Sequence, residues 1–501
     1  MSSRMALPGF NAYAGSNGTD LDGNSRILFY NQLGCRVTKM APLFGNFRMD
    51  ATNEVDGYNE IDVGWSLRTA AGVAPGVDLS IPHTGADAIK QGTPVDAVSE
   101  AGAINWCQSY VEVASGERWP QAYLINTSSG KLEAADFNTH VDKSDGSTIT
   151  NGAGATNKFG FGPIGMLAIE WEGTPHAERF WLRMDSKGTG TTFGRVDDWG
   201  GYGPVANALG GKRPYIQAGL TGTQARFNLG PTQTRQLAAM LAAGITHVVF
   251  FLGVNDLRAS RTALQVAADL ASVRDFYHAH GFVVVFATIP PQINSHTATP
   301  WNAYRLATQV ISTSPANAFI RPEAEGGTEA QRVALSERAI LNGLILAMAA
   351  DDVIIVDMAA ASESPSTPGK FRTLEDGAHA RLYPSYEGTI ATWTGPGFTV
   401  TGFSLPTNAL ASGYVEWLDG PQAGNWSPIQ SSGAAAVTVT AAAQTAFGAS
   451  PPQVGNSIRV WSAGSRFVAS DGLHEVMAFI NNTLYGGQAA GMDAVTAALG
   501  L

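Results

Sequence analysis

Charge is scarce in this chain: only 15% of its residues are Asp, Glu, Lys or Arg, and the acidic ones outnumber the basic ones 42 to 31. No basic run interrupts the resulting net charge of -11, so the electrostatic footprint that neutralises a phosphate backbone is missing and nucleic acid is not expected as a partner. Long apolar runs are missing too. The longest, such as Val248 to Leu252 and Val283 to Ala287, have the length of strands and fall far short of the ~20 residues that a bilayer-crossing helix needs, so no membrane partner is expected. At the amino terminus, MSSRMALPGF puts Pro8 and polar residues where the apolar core of an export signal belongs. No signal is therefore visible, and a soluble cytoplasmic, virion-associated or processed secreted chain would each read this way. Cysteine is limited to Cys35 and Cys107, which leaves one bridge or two buried thiols open.

The absences continue among motifs. Neither cysteine lies in a C-x-x-C spacing, the 9 histidines contain no H-E-x-x-H, and His278, His280 and His296 have no matching carboxylates, so neither a metal nor another cofactor is expected. There is no Gly-x-Ser-x-Gly, which argues against the nucleophile elbow of the α/β-hydrolases. Gly210-Gly211-Lys212-Arg213 lacks the spacing of a phosphate-binding loop.

What is present is apolar residue in quantity, 44% of 501, which is enough for two or three packed cores. The 57 glycines and 25 prolines imply many turns and much short-stranded β structure. Residues 1–165 read as a β-rich, sandwich-like domain: Ile61, Val63, Trp65 and Leu67 alternate with Asp62, Gly64 and Ser66, and similar runs surround Trp106 to Val113 and Tyr123 to Ile125. The Gly/Asn/Thr-rich stretch from Ser144 to Asn157 closes this domain as a loop or linker.

Over residues 166–365 the pattern changes to short apolar runs alternating with helical periodicity, the signature of an α/β core with a parallel sheet. Strands are expected at Phe180 to Met184, Pro214 to Ala218, His247 to Leu252, Phe282 to Thr288 and Val353 to Asp357. Between them one helix turns Leu237, Met240 and Leu241 to the core, and a second turns Val266, Leu270, Val273 and Tyr277. A third starts at Thr328 with Gln331 completing a capping box and carries Leu335, Ala339 and Ile340 inward. Residues 366–468 read as a β-rich insertion, with runs at Thr392 to Phe403, Tyr414 to Leu418, Ala436 to Thr440 and Ser457 to Trp461. Residues 469–501 return to the core through a helical pattern at Glu475 to Leu484.

Three short motifs follow successive core strands: Met184-Asp185-Ser186-Lys187, then Gly219-Leu220-Thr221-Gly222-Thr223, then Gly253-Val254-Asn255-Asp256. A fourth, Asp471-Gly472-Leu473-His474, stands near the carboxyl end. Each alone has an ordinary reading, as a helix cap or a strand-ending turn. Their order and placement at one edge of a parallel sheet, where ligands bind, set them apart. In that order they resemble the SGNH/GDSL hydrolases over roughly residues 170–360 and 468–485.

The resemblance implies a three-layer α/β/α, flavodoxin-like core and a serine esterase acting through an acyl-enzyme. Ser186 would be the nucleophile, His474 its base and Asp471 the acid that orients the imidazole. The oxyanion donors would be the backbone N–H groups of Ser186 and Gly222 and the side-chain amide of Asn255. A second Asp-x-x-His, Asp376-Gly377-Ala378-His379, competes for the base. Two residues depart from the pattern: Met184 replaces the usual glycine, and Lys187 stands where an apolar residue is common, its ammonium expected in solvent. Asp185 and Asp256 are expected to tie the loops together. Pocket walls are expected from Trp199, Tyr202 and Pro204, from Leu257 and Arg258, and from Pro290 to Trp301.

By family analogy the substrate is a short acyl ester, with O-acetyl groups on carbohydrate foremost. Two other readings stand beside it: a glycan-binding or phage-tail-like structural module that keeps the SGNH core, and an acyltransferase. Oligomeric state is not legible.

Overall fold

In a computed structural model of the chain, the structure describes residues 5–7, 10–11, 23–49, 54–56, 60–112, 139–141, 148–150, 164–185, 187, 203–219, 222–230, 233–294, 306–372, 385–401, 403, 413–461 and 490–501. Contacts divide it into two compact units: Met1–Pro290 with Thr313–Ala361 and Gly491–Leu501, and Pro291–Ser312 with Ser362–Ala490. The amino-terminal β region and the α/β core thus share one unit.

In the first unit, two antiparallel sheets of five strands each face one another across a common core. One is built on Arg36–Gly45, flanked by Gly165–Glu172 and Ile89–Gln91; the other runs Gly23–Tyr30, Ile104–Glu112, Ile61–Thr69, Gly72–Pro75. The alternation in the sequence has its cause here. Ile61, Val63, Trp65 and Leu67 point into the core with Phe29, Met40 and Phe44, each such side chain contributing about 1.5–3 kcal/mol by leaving water. Asp62 and Arg68 are exposed, while Gly64 and Ser66, on the same alternate positions of the strand, are buried. Cys35 and Cys107 lie inside this core as thiols, neither of them in a disulfide, and burial pushes both thiols up.

The α/β core contains a six-stranded parallel sheet. Its strands are β1 (Phe10–Asn11), β2 (Phe180–Met184), β3 (Tyr215–Gln217), β4 (His247–Phe251), β5 (Val283–Ala287) and β6 (Val353–Val356). They are arranged β1-β3-β2-β4-β5-β6. Without β1, the order is the 2-1-3-4-5 of flavodoxin-like sheets. The five expected strands all form, each within two residues of its expected ends, because Val/Ile/Phe runs buried on both faces have few alternatives. The extra edge strand comes from the amino-terminal region.

The helices are α1 (Gly203–Leu209), α2 (Thr234–Ala242), α3 (Val254–Arg258), α4 (Ala263–Ala279), α5 (Glu329–Ala334), α6 (Glu337–Leu346) and α7 (Met358–Ser362). α4 buries Val266, Leu270, Val273 and Tyr277 as its periodicity requires. Two expectations need correction. In α2 the inward residues are Gln236, Ala239 and Met240, and Leu241 is exposed. Gln236 tolerates burial because its amide bonds to Gln233. The helix from Thr328 has its capping box but ends at Leu335, and Ser336 caps a second helix by accepting from the Ala339 N–H. That break rotates Leu335 and Ile340 into solvent, and Val333, Arg338, Leu341 and Ile345 turn inward instead.

A small hairpin, Phe47–Met49 with Glu54–Asp56, ties the β region to the core. α2 has no side-chain cap of its own; Glu54 supplies one from elsewhere in the chain, its two carboxylate oxygens accepting from the N–H groups of Arg235 (2.8 Å) and Gln236 (2.7 Å). Burial pushes the Glu54 carboxyl above the ordinary value of 4.5, outweighing the downward pull of the two N–H groups. The native state therefore holds this proton more tightly than the unfolded chain does. Its contribution to stability is full below pH 4.5 and declines as pH rises through the folded value. Glu54→Gln should remove that decline, so the variant's urea midpoint should rise relative to wild type between pH 4.5 and pH 8. A difference that stays constant or falls over that range would show that the carboxyl is not raised.

In the second unit, six strands close a barrel in the order Ser385–Trp393, Gly397–Val400, Ala436–Val439, Trp426–Ser432, Tyr414–Trp417, Ser457–Trp461. Phe398, Val415, Trp417, Val437, Val439, Ile458 and Val460 fill it, with Phe447 from the helix Ala441–Phe447. In the same unit, Gln309 donates to the Phe371 carbonyl (3.1 Å) and accepts from its N–H (2.8 Å), a side chain completing a strand-like pair. The helix expected at Glu475 to Leu484 and the strand expected at Tyr123 to Ile125 lie outside the described residues, as does the linker from Ser144 to Asn157 apart from the short strand Thr148–Thr150.

Candidate active site

The chain leaves β2, β3 and β4 at the same edge of the sheet, and β2 lies between β3 and β4, so the three motif loops start side by side. This is where the strand order reverses, the crevice in which open α/β sheets bind ligands. After β2, the Asp185 N–H donates to the Phe251 carbonyl of β4 (3.0 Å), and the Asp185 carboxylate accepts from the Lys187 N–H (2.9 Å). An aspartate bonding the backbone two residues on is a local turn-forming link.

After β4, Gly253 adopts φ +122, and a Cβ there would lie 3.0 Å from Ile289 and 3.3 Å from Leu341. Only glycine takes this backbone without strain and without that crowding. The conformation starts α3 at Val254 and places Asn255 in its first turn. The Asn255 side-chain amide then reaches both neighbouring loops, donating to the Thr223 carbonyl (3.2 Å) and to the Asp185 carboxylate (3.4 Å).

The loop after β3 is held from further points. Gly222 turns it with φ +81. Asn228 donates to Thr223 Oγ1 (3.2 Å) and to the Gln224 carbonyl (2.7 Å), and accepts from Arg183 of β2, whose guanidinium also donates to the Ala218 carbonyl (2.9 Å). Asp256, fully buried, accepts from the Ala225 N–H (2.8 Å) and pairs with Arg261 (2.7 Å). Burial pushes its carboxyl up, and the Ala225 N–H and Arg261 pull it partly back. Asp185 and Asp256 therefore do tie the loops together.

Of the sequence-derived site residues, the structure brings Asn255 onto Thr223, the residue next to Gly222. Ser186, Asp471, His474 and the competing Asp376 and His379 lie outside the described residues, as do Trp199, Tyr202 and Trp301. Lys187 needs correction: it is 1% exposed, so its side chain lies within the protein and not in solvent. The Asn228–Arg183 link was not visible in the sequence, where Arg183 is one cation inside an apolar strand. His278 directs both ring nitrogens at Asp352, and among the described residues no cluster of His, Cys, Asp or Glu could hold a metal ion. No described helix is long and apolar enough to cross a membrane.

Solved structures similar to this chain include GDSL-type lipolytic hydrolases and acetylxylan esterases, matched over about 40% of its length. A GDSL-like lipase of Bacteroides thetaiotaomicron is 13% identical, with 40% of this chain covering 82% of that one at a TM-score of 0.23. An acetylxylan esterase of Geobacillus stearothermophilus, in a catalytic mutant, is 14% identical over 37% of this chain and 78% of its own, also at 0.23. A lipolytic protein of the G-D-S-L family from Veillonella parvula is 12% identical over 37% and 80%, again at 0.23. No known family profile matches the chain, and no curated protein matches it.

Proposed function

We propose that the chain is a serine ester hydrolase of the SGNH type that removes short acyl groups, O-acetyl groups on carbohydrate foremost, through an acyl-enzyme. The observation that carries this reading is the Asn255 amide, which joins the loop after β3 to the loop that bears Ser186. An ester hydrolase needs a hydroxyl beside a group of hydrogen-bond donors that is already in place when charge develops on the carbonyl oxygen. The Asn255 contact to Asp185 is long at 3.4 Å, so that N–H is only weakly engaged and is given up to a developing oxyanion at little expense.

In the proposed cycle Ser186 attacks the ester carbonyl while His474 takes its proton, with Asp471 holding the imidazole in the required tautomer. The tetrahedral oxyanion is met by the N–H groups of Ser186 and Gly222 and by Asn255. His474 then protonates the departing alkoxide, and water, deprotonated by the same imidazole, releases the acid. No cofactor enters the cycle.

The test is direct. The chain should hydrolyse p-nitrophenyl acetate and take up one fluorophosphonate per molecule, and peptide mapping should place the adduct on Ser186. An adduct on another residue, or neither turnover nor labelling, defeats the reading. Glycan binding by such an inert chain would favour the structural-module alternative, and acyl transfer to an added alcohol in preference to water would favour the transferase.

A further inference from the structure

We propose that Asp256 is a positioning residue for this reaction, one that sets the Gly222–Ala225 loop, and with it the Gly222 N–H, against Asn255; the inference rests on the esterase reading. Consecutive residues of α3 grip the same loop in opposite chemical senses. Asn255 donates to the Thr223 carbonyl (3.2 Å), and Asp256 accepts from the Ala225 N–H (2.8 Å). Two such bonds, two residues apart, fix both the distance of the loop and its rotation about its own axis, which one bond alone would leave free.

That rotation matters because, among the described residues, nothing packs on the open side of Gly222. The residue is exposed, its φ is +81, and among the described residues beyond its chain neighbours no atom lies within 4 Å of the position a Cβ would take. The direction of its N–H therefore follows the bonds made by its neighbours. The loop's other described anchors, from Asn228 to Thr223 Oγ1 and to the Gln224 carbonyl, reach the sheet through the bond of Asn228 to Arg183 of β2, whereas the two α3 bonds tie the loop to the helix that carries Asn255.

A tie of this kind does not in general require a charge, and burying a carboxylate opposes folding strongly unless it is paired. Here it is paired. Arg261 meets Asp256 at 2.7 Å and Asp269 at 2.5 Å, and its guanidinium opposes the upward push that burial exerts on the Asp256 carboxyl. Asp256 reaches no open crevice, being fully buried, so its effect on substrate passes through the loop.

The experiment compares p-nitrophenyl acetate kinetics of wild type, Asp256→Ala and Asp256→Asn, with kcat referred to sites titrated by fluorophosphonate so that unfolded molecules do not count. Asp256→Ala should lower kcat about 10- to 100-fold with KM changed less than about twofold, the size expected when a transition-state donor is misplaced by about 1 Å. Asp256→Asn, whose side-chain carbonyl can still accept from Ala225, should recover kcat to within about threefold of wild type. The proposal is overturned if the alanine variant keeps its kcat, if its loss appears in KM alone, or if asparagine is as slow as alanine. Should the alanine variant not fold, Asp256→Ser, whose hydroxyl falls short of Ala225, replaces it under the same criteria. A wild-type chain without Ser186-dependent turnover defeats the esterase reading itself, whereas an active wild type with an equally active alanine variant defeats only the positioning role.

Discussion

Alanine at Ser186, at His474, or at both should leave p-nitrophenyl acetate turnover equally low, at least about 1000-fold below wild type, while alanine at His379 should leave it within about twofold. A serine hydroxyl is a poor nucleophile near neutral pH, and the imidazole that takes its proton is useful only to that hydroxyl. Two residues acting as one unit do not lose twice, so the double variant should be no slower than either single one.

The choice between the histidines rests on the residues that come after each. Val476, Phe479 and Ile480 after His474 have the spacing of a helix that can pack back on a sheet. Arg381 and Pro384 after His379 lead instead into the first barrel strand at Ser385. Steady-state rates of the four variants decide the matter. Loss at His379 with activity kept at His474 would reverse the assignment of the base, and turnover surviving Ser186→Ala would remove the serine mechanism altogether.

How much of this molecule could be read from its sequence depended on where its bonding partners lie. The sheet strands were legible because their Val, Ile and Phe runs, bounded by Gly and helical segments, carry the signal within themselves. The capping box at Thr328 and the inward face of α4 are equally local. Leu335 and Ile340 were misplaced because period alone does not register the restart at Ser336, nor the burial of Arg338. That guanidinium turns inward to donate to the Ile289 carbonyl (3.1 Å), 49 residues away.

The two-residue strand Phe10–Asn11 and the cap that Glu54 provides for α2 were invisible for the same reason: their partners lie some 200 and 180 residues along the chain. The barrel was legible as β only in part, since Trp426–Ser432 lacks a clean alternation, with Pro428 and three serines among its seven residues. At the candidate site the Gly-x-Asn-Asp block showed which residues to follow, but not that Asn255 and Asp256 both reach the loop after β3.

Asn255→Ala should reduce kcat about 100- to 1000-fold with little change in KM, the usual loss when one oxyanion donor is removed. Ground-state ester carbonyls are weak acceptors, so a donor aimed at the developing oxyanion acts mainly on the transition state. Asn255→Asp should be slower still, although it preserves shape. A carboxylate there would face Asp185, which now accepts from the amide at 3.4 Å, and the Thr223 carbonyl at 3.2 Å, and would meet the forming oxyanion with charge of the same sign. The order wild type, then alanine, then aspartate thus separates donation from shape: a purely steric role for Asn255 would rank the near-isosteric aspartate above alanine. The measurement is kcat per fluorophosphonate-titrated site at neutral pH. A loss under about tenfold for alanine would remove Asn255 from the donors, because the N–H groups of Ser186 and Gly222 would then suffice for the charge that forms.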